Sequence, residues 1–114
     1  PSPLTASWPY GLMDHMAKAT LPLDFKATQG ELLVQMVLWQ LPRPTKDRPH
    51  GLKYRLYLGR AGQTQVRYDN EAGKGNHRHI GSDEIQTPYD FSSLEQLLKD
   101  FRRECAQFGW RWIE

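Results

Sequence analysis

The chain is poor in the features that define several large protein classes. It holds one cysteine in 114 residues, which excludes a disulfide framework and a zinc site built on cysteine pairs, and makes a reducing, cytoplasmic setting the expectation. Long hydrophobic runs are missing as well: the apolar stretch of residues 32–41 is broken by Gln35 and Gln40, far short of the roughly 20 residues of a membrane span. No basic segment followed by an apolar stretch opens the chain, so no secretory signal is expected. Internal repeats and low-complexity tracts are absent. The length suits a single domain with a modest core.

What is present is an uneven distribution of charge. The net charge is only +2. Residues 43–79, however, carry nine bases against three acids, for a local charge of +6. Residues 80–114 carry four bases against seven acids. His50, His77 and His79 fall inside the basic block, and Tyr54, Tyr57 and Tyr68 are interleaved with it. Dense cations with aromatic neighbours point to phosphate-rich partners, RNA above all. A solvated strand face is the bland alternative, and the acidic tail could meet a basic protein.

The patterning predicts an α+β domain, an antiparallel sheet of three or four strands with one C-terminal helix packed on one face. Residues 1–28 read as an N-terminal extension or arm. Pro1, Pro3, Pro9 and Pro22 interrupt it, and Trp8 and Tyr10 are expected to pack on the sheet. Leu32 to Leu41 reads as a strand apolar on both faces, hence covered on two sides. In Leu52–Leu58 the set Leu52, Tyr54, Leu56 and Leu58 alternates with Lys53, Arg55 and Tyr57. Gly59 and Gly62 signal a hairpin into a third strand, Thr64–Asn70, which buries Val66 and Tyr68. Antiparallel pairing then gathers Lys53, Arg55, Arg67 and Asp69 on one face. Residues 77–81 are expected to be extended. A helix over Ser93–Phe108 starts from a capping box at Ser92 with Glu95, shows Leu94, Leu97, Leu98, Phe101, Cys105 and Phe108 on one stripe, and ends at Gly109. Cys105 is a core residue on this reading, and Trp110 and Trp112 finish the core.

The chemistry concentrates in residues 68–81, where Asp69, Glu71, His77 and His79 flank a glycine-rich turn. The Gly73-Lys74 step is no phosphate-binding Walker loop, because Tyr68 stands at its first glycine position and Gly75 replaces the magnesium-holding hydroxyl. On a strand, the His77-x-His79 spacing projects both rings to one side. Three readings stand. A metal would need a third ligand from His50, Asp69 or Glu71. A structural pair would hydrogen-bond the backbone. An acid–base pair would use imidazoles that exchange protons near neutrality. RNA brings its own 2′-hydroxyl nucleophile, so the third reading needs neither metal nor cofactor. It places His77, His79, Asp69 and Glu71 as candidate acid–base groups, and Lys53, Arg55, Arg67, Lys74, Arg78 and His50 as phosphate-binding groups.

The runs Met36-Val37-Leu38-Trp39, Pro42-Arg43-Pro44, His50 to Leu56 and Arg67 to Gly81, with the helix start Phe91 to Leu98, resemble the TumE family of toxins from bacterial toxin–antitoxin systems. The resemblance covers about residues 28–108, so residues 29–114 read as a single TumE-like toxin domain. The N-terminal extension departs from the family pattern, and Asn76 stands where the family more commonly carries Asp. The resemblance implies a small cytoplasmic type II toxin with a cognate antitoxin partner of the helix-turn-helix class. Ribonuclease action or translation inhibition is the usual action of small basic toxins of this kind. Together with the acid–base reading above, the expectation is a toxin acting on RNA as a metal-independent endoribonuclease or translation inhibitor. A non-catalytic nucleic-acid- or protein-binding module is the alternative, and self-association is left open.

Overall fold

Alternation of apolar and polar residues builds one sheet. The computed structural model describes residues 20–70 and 75–112. The arm residues Trp8 and Tyr10, and Glu71 and Lys74 of the glycine-rich turn, lie outside the described residues. Six strands follow in chain order: β1 Thr20–Gln29, β2 Leu32–Gln40, β3 Leu52–Arg60, β4 Gln63–Asp69, β5 His77–Ile80 and β6 Ile85–Pro88. Each pairs antiparallel with its sequence neighbour, giving the order β1-β2-β3-β4-β5-β6. The helix α1, Leu94–Gln107, follows. No helix among the described residues is long and apolar enough to cross a membrane.

The α+β class and the C-terminal helix are as the patterning predicts, but the sheet has six strands rather than three or four. β1 lies within the segment read as an arm. Pro22 and the run Asp24-Phe25-Lys26 hide its alternation, yet it pairs with β2 from Gln29 back to Thr20 around a bulge near Leu23. β6 has four residues, of which only Thr87 is even half-buried, so it carries no hydrophobic signal.

One face of the sheet holds the core. Val34 and Leu38 of β2, Tyr54, Leu56 and Leu58 of β3, and Val66 and Tyr68 of β4 are all buried against Leu97, Phe101 and Cys105 of α1. Each fully buried large apolar side chain contributes roughly 1.5–3 kcal/mol relative to exposure. Burial pushes the Cys105 thiol up, as its place on the apolar stripe anticipates. Trp110 is buried and Trp112 packs against the cluster, so both tryptophans do finish the core.

The helix begins one residue later than the capping box suggests. Ser93 is the cap: its backbone is extended and its Oγ accepts the Gln96 N–H at 3.0 Å. Glu95 does not reach back to the cap but lies beside Lys99 at 3.7 Å. At the other end Gly109, with φ +103°, takes the left-handed turn that Cβ-bearing residues avoid.

The two faces of β2 differ in burial. Its Leu33, Gln35, Val37 and Trp39 are half-buried and lie on the face opposite α1, and no described element is stacked over that face.

Candidate RNA-binding face and acid–base cluster

The sheet register decides which functional side chains meet. Trp39 pairs with Lys53, Val37 with Arg55 and Gln35 with Tyr57 across β2 and β3. Arg55 pairs with Asp69 and Tyr57 with Arg67 across β3 and β4. Asp69 pairs with His77 and Arg67 with His79 across β4 and β5. Because directly paired residues share a face, the side opposite α1 carries Trp39, Lys53, Arg55, Tyr57, Arg67, Asp69, His77 and His79 together. The register predicted for Lys53, Arg55, Arg67 and Asp69 is the one found.

Two adjoining hollows mark this face. The larger, about 390 Å³, is lined by Trp39, Lys53, Tyr54, Arg55, Arg67 and Asp69. The smaller, about 200 Å³, is lined by Gln35, Val37, Trp39, Arg55 and Tyr57. Trp39 and Arg55 border both, so the two form one groove across β2–β4. Cations lie over its aromatic rings: Lys53 Nζ is 5.3 Å from the Trp39 ring centre and the Arg55 guanidinium 5.5 Å from that of Tyr57. Such pairs hold flexible cations in place at modest energetic gain. Tyr57 also lies across Gly59, where an added Cβ would meet its phenol oxygen at 2.2 Å. Glycine at that position is therefore what lets the ring lie flat along the strand.

At the β4–β5 end, Arg67 organises a charged cluster. Its Nε lies 3.2 Å from Asp69 Oδ2, its Nη1 3.0 Å from Glu84 Oε1 and its Nη2 3.0 Å from His79 Nε2. A guanidinium only donates, so His79 Nε2 accepts and its Nδ1 carries the hydrogen, pointing to the Glu84 carbonyl at 3.4 Å. His77 Nδ1 donates to the Gly75 carbonyl at 3.0 Å, which turns Nε2 onto Asp69 Oδ1, its ion-pair partner. The two imidazoles sit 5.0 Å apart, nearly edge to face. Asp69, His77 and His79 each offer a ligand atom within 4.8 Å of the others, a set that could hold a metal ion.

The imidazoles converge with the cations but are not on the surface. His77 is 4% exposed and His79 6%, whereas Asp69 keeps 13% and Arg67 24% of the side chain in solvent. Direct access to the groove therefore belongs to Asp69 and Arg67, with the rings behind them.

Two of the residues expected to bind phosphate lie elsewhere. Arg78 sits between two histidines of one face, so β alternation turns it to the other side. There it pairs with Glu104 of α1 at 3.3 Å, and the same carboxylate accepts the Tyr68 hydroxyl. His50 occupies the loop before β3, its ring 4.1 Å from Phe91 and its Nδ1 accepting the Leu52 N–H at 3.1 Å. Its Nε2 lies 3.3 Å from Asn76 Oδ1, which also accepts the Tyr54 hydroxyl at 2.8 Å. Both residues are structural joints in this arrangement.

Two contributors were not anticipated. Trp39 was read as core, although its shared parity with Gln35 hinted at a partly wet face. Glu84 holds both Arg67 and His79 from a left-handed backbone, φ +51°. Non-glycine residues rarely adopt that geometry without a compensating network, and nothing in the sequence marks it.

No curated relative and no solved structure matches the chain with significance. The family model described as Toxin TumE matches residues 10–109, which takes in every strand, the groove, the charged cluster and the helix. By that match the chain belongs to the TumE toxin family.

Proposed function

We propose that this toxin acts on RNA in the cytoplasm as an endoribonuclease that uses no resident metal. The observation that supports the reading is the groove itself, where Trp39 and Tyr57 alternate with Lys53 and Arg55 and lead to Asp69 and Arg67. Aromatic faces on an open sheet stack unpaired bases, and interleaved cations neutralise the phosphates between them. A single strand laid along the groove brings one phosphate to the β4 end. There the Asp69 carboxylate takes the 2′-hydroxyl proton, with His77 positioning it from behind. The 2′-oxygen attacks phosphorus and the bond to the 5′-oxygen breaks, that oxygen taking a proton from solvent water, producing a 2′,3′-cyclic phosphate. Arg67 and Arg55 balance the charge that grows on the phosphoryl oxygens. His79 acts through Arg67 by accepting one of its N–H groups, so it is a positioning residue. The toxin is held inactive by a cognate antitoxin of the helix-turn-helix class that covers this basic face.

Incubating the chain with single-stranded RNA in EDTA across a pH series tests the reading. Cleavage that leaves cyclic-phosphate ends is expected. Asp69→Asn should lose roughly 100-fold or more in rate while keeping its RNA affinity. Undiminished cleavage by Asp69→Asn overturns the assignment of the base. The near-complete burial of both imidazoles favours one competing reading, a toxin that occludes RNA without cutting it. Tight binding with no products would establish that reading instead.

A further inference from the structure

We propose that Asp69, His77 and His79 form a binding site for a divalent transition ion of the zinc class, entered by displacing the Arg67 guanidinium. The donor set comes first. Two imidazoles two residues apart on β5 and a carboxylate from the paired strand β4 converge, with one ligand atom from each within 4.8 Å of the others. A tetrahedral zinc ion with bonds of about 2.0–2.2 Å sets its ligand atoms roughly 3.3 Å apart. A closure of at most about 1.5 Å, within reach of small side-chain rotations, converts this cluster into a three-ligand site with an open fourth position. Two nitrogens and one oxygen suit zinc and its neighbours, whereas magnesium and calcium prefer oxygen alone.

The second observation is independent of that convergence. Both rings have their outer nitrogen tied to a backbone carbonyl, His77 Nδ1 to Gly75 at 3.0 Å and His79 Nδ1 to Glu84 at 3.4 Å. That arrangement fixes the tautomer and leaves Nε2 of each ring directed inward, the orientation that metal-ligating histidines depend on. Both rings are more than nine-tenths buried, so neither pays much entropy to hold its pose. Glu84 keeps its carbonyl on His79 from a strained backbone.

Arg67 is the resident cation of the site. Its Nη2 now covers His79 Nε2 and its Nε covers Asp69 Oδ2, while Nη1 holds Glu84. A dication and a guanidinium cannot share these donors, so metal entry releases the first two contacts and leaves Arg67 on Glu84. The binding claim stands apart from the ribonuclease reading. Its consequence, that zinc silences cleavage by capturing Asp69 and His77, rests on that reading.

The test uses the full wild-type chain freed of metal and titrated with Zn²⁺ alone, followed by calorimetry and by NMR of the histidine rings. Saturable one-to-one binding that shifts the His77 and His79 resonances and leaves His50 unmoved is expected, and Co²⁺ should broaden Asp69, His77 and His79 selectively. His77→Gln and His79→Gln, each checked for fold by circular dichroism, should weaken binding by roughly 10–100-fold. Arg67→Ala should tighten it, an outcome that an incidental surface site would not produce. Absence of saturable binding to the wild type, binding that perturbs His50 instead, or unchanged affinity in Arg67→Ala overturns the proposal. RNA cleavage in EDTA that stoichiometric Zn²⁺ stops supports the inhibitory role. Binding as described by a chain that never cuts RNA would sink the ribonuclease reading and leave the metal site standing.

Discussion

At the scale of single residues, His50 shows how packing can take up a histidine that the sequence places in a basic block. It lies in the basic block, yet its ring is packed on Phe91 and wedged between the Leu52 amide and Asn76. Burial holds its imidazole below the ordinary value; the Asn76 hydrogen bond opposes this and Arg48 adds to it. The unfolded chain therefore binds a proton at His50 more readily than the folded one does. Its contribution to stability is complete above about pH 6.5 and falls as the pH drops below that value toward the lower native one. An NMR titration of the His50 ring should give a midpoint below 6.5; a midpoint at or above it would contradict the packing. Asn76 has a related lesson. Its Oδ1 accepts from Tyr54 and faces His50, a role that the oxygen of an aspartate serves equally well. Asn70, buried beside it, uses its side-chain amide to continue the β3–β4 ladder, accepting the Tyr54 N–H at 3.0 Å and donating to the Leu52 carbonyl at 2.8 Å.

At the scale of elements, the β3–β4 hairpin positions both halves of the groove, and its tip is imperfect. Ala61 (φ +49°) and Gly62 (φ +83°) both take left-handed geometry, the combination that favours asparagine followed by glycine. Ala61→Asn should therefore stabilise the fold by about 0.5–1 kcal/mol, a rise of roughly 3–6 °C in Tm. Ala61→Val should lower Tm, and thermal melts that rank the two variants the other way would exclude this account of the turn. The same hairpin shows what a sequence makes legible. Clean alternation over Leu52–Leu58 and Thr64–Asn70 fixes which residues share a face, so the cation set was readable once the pairing was assumed. The strand β1 was not, because Pro22 and exposed Phe25 blur its period, and β6 was too short to show one. Arg78 was misplaced despite a legible signal, since its two histidine neighbours in β5 already occupied the opposite face. The burial of those histidines was not readable. For His79 it goes with contacts to Glu84 and Arg67, and the Glu84 contact depends on a left-handed residue no pattern announces.

At the scale of the whole molecule, the sheet divides its labour between two faces. α1 covers one with apolar burial, and its acidic residues answer the inward cations, as Glu104 does for Arg78. The other face keeps cations of two kinds. Arg67 is compensated by Asp69 and Glu84, whereas Arg55 lies over the Tyr57 ring, which carries no charge. Their contributions to RNA binding should then differ in kind. Each phosphate neutralised on a single strand contributes about −0.7 to the slope of log affinity against log salt. Removing Arg55 should make the slope shallower by about 0.7, while Arg67→Ala should change it far less. Trp39→Leu should instead weaken binding by about 1–3 kcal/mol with the slope intact, because base stacking releases no counterions. Affinity measured for one single-stranded RNA at several salt concentrations separates these effects. A slope unchanged by loss of Arg55 would move the RNA off this face, because no purely stacking contact can supply the missing counterion release.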